Sequence, residues 1–458
     1  MKAQEFKSLS GSVHAEMTVF LSLLFVIFLS FIGGILESAS LQGMKSEKRA
    51  DVSLAMDSVF AEYHSKLFEL YHIFSLDGSY ESDTYEEKKI CDRLNYYAGM
   101  EAEHKIEKIQ MLTDHNGQAF YEQAVRWMET EIGHGILEQI PKMEELWKEQ
   151  EEQYTDREEE LDQALEEVEE ALPSEENPFT DVIRMRNDDF LKKILPKSKQ
   201  ISEKRVNMSE LPTGRRLLSG RGEFSNQVLG NETVSDILFG EYMLRHYNNG
   251  VTEREDCGKG LAYEMEYILE GTDEDGENLT RILRKIQGIR LALNYGFLLS
   301  DAQRCAKVQT WAAALSAVIL MPELTEVLKH ALLLVWSYRE TVADLRILMA
   351  GEKCVFWKTD SSWRTEFSEI LIPDEQTQEE TKDENGIKYE DYLRMFYAVT
   401  AKETMRMRAI DMLEINLRKQ EGMDYFRADK SVNKIEMRTT CTFRRGISYQ
   451  FKTYYEYR

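Results

Sequence analysis

Met17 to Leu36, MTVFLSLLFVIFLSFIGGIL, is a run of 20 residues without a single charge. At about 1.5 Å of rise per residue it forms a helix roughly 30 Å long, the thickness of a bilayer's hydrocarbon core. Any fold open to this chain must either bury that run or leave it in lipid. Phe and Leu surround it on every side with no polar stripe, which argues against a core helix. It is also longer than the apolar part of a secretory signal, about 7–15 residues, although Ser38-Ala39-Ser40 offers a small-residue cleavage site. The sequence predicts a leader over residues 1–11 and a transmembrane helix over 12–36, whose uncharged run has Met17 and Leu36 at its ends. No second apolar run reaches spanning length, so the expectation is a single-pass protein of the cell membrane, in contact with membrane lipid.

The entry to the span carries an acid. Gly11, Ser12 and Glu16 follow a short polar leader containing Lys2 and Lys7, and Glu16 is the fifth residue counted from Ser12. A carboxylate near lipid is costly unless neutralised or paired. The arrangement resembles a type IV prepilin signal, in which a prepilin peptidase cuts after the glycine. By that resemblance Ser12 becomes the new N-terminus, and Glu16 pairs with the freed amine of a neighbouring subunit. Met17 stands where such signals often carry Tyr. A polar flank resting among the headgroups is the plainer reading of Glu16. Lys2 and Lys7 on one side and Lys45, Lys48 and Arg49 on the other leave orientation undecided by charge. The prepilin resemblance implies a cytoplasmic N-terminus and an extracytoplasmic bulk.

Composition excludes several classes. With 57 Lys and Arg against 82 Asp and Glu, the formal charge of −25 repels phosphate backbones, so no nucleic-acid partner is expected. Cys91, Cys257, Cys305, Cys354 and Cys441 are scattered without a CxxC pair, and the histidines show no ligand spacing. No metal site, cofactor or catalytic residue is assigned. Neither a Gly-flanked serine elbow nor a Cys with a nearby His is present, and the GRG at 220–222 lacks phosphate-loop spacing.

The rest of the chain keeps a helical rhythm. Leu41, Met44, Val52, Met56, Val59, Tyr63, Leu67, Leu70 and Phe74 recur at spacings near three and four, predicting a stalk helix over 37–78. Residues 79–173 read as a helical region with an acidic, coiled-coil-like arm, its heptad positions at Ile140, Met143, Trp147, Leu161, Leu165, Val168 and Leu172. That arm is read as a solvated helix packed on its own domain in preference to a partner-binding one. Residues 174–235 read as a linker or insertion, with basic residues set to pair with the acidic arm, and 236–351 as a helical core with Gly351 as its C-cap.

The α+β region over 352–458 places one helix over Tyr389–Glu421 and an antiparallel hairpin around Arg444-Arg445-Gly446. KCVFWK at Lys353–Lys358 is the expected third strand. The last strand is read as internal to the sheet, the alternative being an open edge that a neighbouring subunit could extend. The fold class is therefore mainly α with a small C-terminal antiparallel β element.

A family resemblance rests on LESASLQGMKSEKRADVSLAMDS and SVFAEYHSKLFELYHIFSLDG, with EYMLRHY at Glu241–Tyr247, LAYEMEYILEG at Leu261–Gly271 and Tyr389–Arg418. These stretches resemble an uncharacterised membrane-anchored family of Gram-positive bacteria associated with tight-adherence (Tad) pilus clusters, similar to TadE/TadG-like minor pseudopilins. The resemblance implies an accessory component of a type IV-like pilus or secretion apparatus, with the other subunits as partners, acting by assembly and not as an enzyme. A membrane-anchored cell-surface enzyme such as a cell-wall hydrolase, and a generic anchored scaffold, are the alternatives.

Overall fold

A computed structural model describes residues 2–82, 84–99, 102–132, 161–168, 170–171, 190–196, 199–224, 232–254, 260–318, 320–369, 386–443 and 446–457. The first element, α1, runs unbroken from Lys2 to Phe60. From Met17 to Ser40 the helix is bare. Further on, Val52, Met56, Val59 and Phe60 are buried against the body.

The stalk predicted over 37–78 stops at Phe60. There the His64 amide donates to the Ser75 carbonyl at 3.0 Å and Tyr63 bridges to Leu76, folding the chain back. A short helix α2 (Ser65–Tyr71) and a two-residue strand β1 (Leu76–Asp77) follow. Of the periodic residues of this stretch Leu67 is buried and Tyr63, Leu70 and Phe74 are half-buried, in an aromatic cluster where Phe68 stacks on Phe74 at 4.4 Å and Tyr63 meets Phe74 edge-on at 4.9 Å. Helical spacing marked residues that pack together here, not helix continuity.

Helix α3 (Glu87–Ala98) packs on α1, and strand β2 (Glu103–Met111) interrupts the region predicted to be helical. Its pairing slips between Ile106 and Lys108, and that irregularity breaks the alternation by which a strand is recognised. Helix α4 (Asp114–Ile132) opens with three left-handed residues, His115, Asn116 and Gly117. Of the acidic arm, residues 133–160, with Ile140, Met143 and Trp147, lie outside the described residues, as does Leu172. Residues 161–168 are helical, with Leu161, Ala164 and Val168 buried in the main core.

The stretch 199–224 is not a free linker. Arg215 grips Glu414 with two bonds of 2.6 and 2.8 Å and also reaches Asp429 at 2.6 Å. Gly220 donates to Asp114, and Arg221 exchanges backbone bonds of 2.9 Å with Ile109. Arg215 and Arg221 thus pair with the body, while most of the acidic arm lies outside the described residues. A Cβ on Gly220 would lie 2.0 Å from the Ile109 carbonyl, so only glycine fits beside β2.

The helical core follows a short α5 (Phe190–Ile194). It comprises α6 (Glu232–His246), α7 (Glu264–Glu270), α8 (Asp275–Ser300), α9 (Ala302–Val318) and α10 (Thr325–Met349). Helices α8, α9 and α10 pack together, and α10 ends on Gly351 at φ +84°, as the sequence predicts. The helix predicted over Tyr389–Glu421 is two, α11 (Tyr389–Val399) and α12 (Lys402–Arg418). They are parted at Thr400, whose backbone is extended and whose hydroxyl bonds back to the Phe396 carbonyl.

The chain closes with β3 (Ser431–Thr442) and β4 (Ser448–Glu456), an antiparallel hairpin whose turn has Gly446 at φ +73°. β3 is the centre of the sheet, with β2 along one side. Its other side pairs first with β1 at Ser431 and Val432 and then with β4 from Lys434 to Thr442. Among the described residues β4 pairs with β3 alone and is therefore an edge strand, against the expectation of an internal one. KCVFWK makes no third strand: its single bridge joins Cys354 to Ile387. The architecture is mainly α with a small antiparallel sheet near the C-terminus.

Candidate anchor and interaction site

Gly11, Ser12 and Glu16 fall within α1, and their side chains lie outside the described residues. Met17 and Leu36 bound a segment whose large side chains all remain exposed. Among the described residues α1 is the one helix long and apolar enough to cross a membrane, and none of that apolar window is buried in the body. A bare apolar helix of this size is stable in lipid or packed against other apolar surface.

Where α1 leaves this segment, the terminal hairpin takes hold of it. Arg49 donates to the Tyr449 hydroxyl at 2.6 Å, and Lys45 lies 5.2 Å from the centre of the same ring. Val52 packs with Cys441 and Phe451. At the far end Phe60 stacks on Tyr455 at 4.2 Å, and its carbonyl accepts from the Tyr457 hydroxyl at 2.6 Å. Helix α1 is thus one continuous rod, bare in its first part and built onto the sheet in its last.

The folded body gathers titratable groups that are far apart in sequence. Arg290 on α8 and Asp344 on α10 are both 0% exposed, with Nη2–Oδ2 at 2.5 Å and Nε–Oδ2 at 3.0 Å. Arg290 also donates to the carbonyls of Val355 and Phe356, tying the 354–365 loop to the core. Lys358 reaches Asp344 at 2.6 Å and pairs with Glu340, while Glu340 accepts the Thr365 amide at 2.9 Å. Burial pushes the Asp344 carboxyl up, and Arg290 and Lys358 overcome it and hold it below the ordinary carboxylate range. This set lies fully inside the protein and clamps a loop.

Three buried acids act in the same way. Glu264 accepts the Asn248 amide at 2.9 Å, and Asp275 the amides of Ala262 and Tyr263. Glu266 accepts from Gly250 at 2.7 Å and from the Tyr389 hydroxyl at 2.5 Å, leaving Oε2 without a hydrogen bond. Burial pushes the Glu266 carboxyl up to about 7. His72 and His246 meet with Nδ1 and Nε2 3.1 Å apart, while His246 Nδ1 donates to the Tyr242 carbonyl. Burial pushes His246 down to about 3, so it is neutral at physiological pH. Sequence spacing could not bring together residues 174 positions apart. Among the described residues no group of three or more His, Cys, Asp or Glu is placed to hold a metal ion.

No curated protein and no solved structure matches the chain. One family model does, over residues 168–443, from the end of the acidic arm through the helical core to the last residue before the hairpin turn. That is more than half of the chain, and the protein belongs to DUF5702, a family of unknown function.

Proposed function

We propose that this protein is a single-pass, membrane-anchored accessory component of a tight-adherence-type pilus or secretion apparatus, acting by subunit assembly. One observation carries the reading: α1 is a single rod whose apolar first part is bare and whose upper end is fixed to the body by the β3–β4 hairpin. A rod of this kind bundles with equivalent rods through its exposed face while its body projects to one side. The prepilin-like spacing of Gly11, Ser12 and Glu16 supplies a processing site and a register-setting acid. The leader is then cytoplasmic and the body extracytoplasmic.

N-terminal sequencing of membrane-extracted protein tests the reading. A start at Ser12 supports processing by a prepilin peptidase, a start at Leu41 identifies a removed secretory signal, and a start at Met1 leaves a plain anchored scaffold. In the same cells Glu16→Ala should abolish co-purification with pilus subunits while the protein remains in the membrane fraction. Unchanged co-purification would remove Glu16 from assembly.

A further inference from the structure

We infer that β4 is a docking edge, to which an extended segment of a different protein adds antiparallel, running towards the membrane and setting an acid against Lys452. The direction of that segment rests on reading Met17–Leu36 as a span; the edge itself does not. The phase of the β3–β4 ladder identifies the groups on offer. The Phe443 amide donates to the Ile447 carbonyl at 2.8 Å, making this a hydrogen-bonded pair. Such pairs alternate along an antiparallel ladder, so Tyr449, Phe451 and Thr453 are the residues that bond to β3. The main-chain groups of Ser448, Gln450 and Lys452 therefore point away from β3, and among the described residues they have no partner. A row of unpaired amides and carbonyls is matched by another extended backbone.

Direction excludes a second copy. β4 lies along α1 with Tyr449 beside Arg49 and Tyr455 on Phe60, so it runs away from the apolar segment. An antiparallel newcomer runs towards it. In a copy anchored in the same membrane β2 and β4 both run away from the lipid, since each is antiparallel to β3. β3 runs the other way but is covered on both sides. Parallel addition of one β4 to another needs a stagger of one residue, about 3.3 Å, which a two-fold axis along the membrane normal does not permit.

Side chains beside the edge set the chemistry of the occupant. On the outer face Lys105, Arg438 and Lys452 stand directly opposite one another across β2, β3 and β4. Glu107 answers Arg438 at 2.5 Å and Lys452 at 2.7 Å from the β2 side, and the Lys452 side chain is still 55% exposed. Directly opposite like charges are unfavourable and unlike charges stabilising, so the next strand takes an acid in this row. On the inner face β3 meets α1 at Val52, and β4 meets it at Arg49 and Phe60. One step further round the helix come Ser46 and Ser53, small and exposed, which leave room for the β-branched side chains of an added strand.

The test uses the full chain in detergent and a pair of synthetic peptides of alternating threonine and valine, as long as β4, one with glutamate and one with lysine at the centre. Hydrogen exchange is resolved to single amides. Before peptide is added, Gln450 and Lys452 should exchange quickly; slow exchange there would show the edge already taken, by this chain or a copy, and overturn the inference. The glutamate peptide should slow both amides and bind about three- to tenfold more tightly than the lysine peptide. In Lys452→Gln that preference should vanish. Gln450→Pro removes an outward amide and spares the bonds to β3, and should weaken the glutamate peptide about threefold or more. Binding without slowed exchange at these amides, or equal binding of both peptides to the wild type, would overturn the inference. Benzoylphenylalanine at the peptide's first residue should crosslink to the Glu456 end of β4, and adducts at the Ser448 end would overturn antiparallel docking. Release of the native protein from membranes by alkaline carbonate would overturn the span, and with it the partner's direction, while leaving the edge as measured.

Discussion

Arg49 of α1 and Tyr449 of the last strand, 400 residues apart in sequence, meet at 2.6 Å. This contact joins the two ends of the chain at the point where α1 passes from bare helix to packed helix. Because the pair is open to solvent, water replaces much of what is lost when it is broken. Tyr449→Phe should cost about 0.5–1 kcal/mol. Tyr449→Ala, which also uncovers Lys45 and Arg49, should cost about 1–2 kcal/mol. Urea unfolding of the detergent-solubilised protein measures both, and equal midpoints for wild type and Tyr449→Ala would contradict the clamp.

Phe60 is the other end of the clamp, fully buried between Tyr455 and Tyr457. Phe60→Ala leaves a cavity the sheet cannot close and should destabilise the protein by about 3–5 kcal/mol. Hydrogen exchange should then rise in β4 before it rises in α8 or α10, since the sheet and the helical core are separate apolar clusters. Uniform loss of protection would show that the two clusters unfold as one.

The buried pair of Arg290 and Asp344 is a liability when half-removed. Arg290→Met strips Asp344 of its main counter-charge and frees the carbonyls of Val355 and Phe356. The expected loss is about 3–5 kcal/mol, read as a drop in denaturation midpoint. Proteolytic nicking within 354–365 should appear before global unfolding. A variant with the wild-type midpoint would mean that Lys358 and Arg364, which reach Asp344 at 2.6 and 3.1 Å, suffice alone.

Glu266 gives stability a definite pH slope. Its carboxyl titrates at about 7 in the folded chain, above its ordinary value of 4.5, so the folded state holds a proton that the unfolded state has released between those values. The group's contribution therefore falls as pH rises from about 4.5 to 7 and stays at its lowest above that. Glu266→Gln keeps an acceptor for Tyr389 and Gly250 and carries no charge. It should be more stable than wild type at pH 8 by about 1–3 kcal/mol and indistinguishable at pH 4. Chemical denaturation at both pH values checks the sign, and a variant less stable at pH 8 would contradict it.

Much of the fold was open to reading because its causes are local. The bare apolar part of α1 follows from twenty consecutive uncharged residues, the end of α10 from Gly351, and the terminal hairpin from alternation on both sides of Gly446. What escaped depends on partners distant in sequence. β2 was hidden because a slip in pairing breaks its alternation, and the end of α1 at Phe60 because the His64–Ser75 pairing that turns the chain lies outside any helical period. KCVFWK has the composition of a strand, yet the carbonyls of Val355 and Phe356 are taken by Arg290.

The candidate site divides along the same line. Sequence alone determined that α1 carries a lipid-length apolar segment with an acid at its entry, since charge and hydropathy are properties of consecutive residues. Tertiary structure alone decided that, among the described residues, β4 pairs with β3 alone, and that it runs along α1. Those are facts of register and relative height, set by contacts such as Tyr449 with Arg49 and Tyr455 with Phe60, and no local pattern encodes which distant residue a side chain will meet.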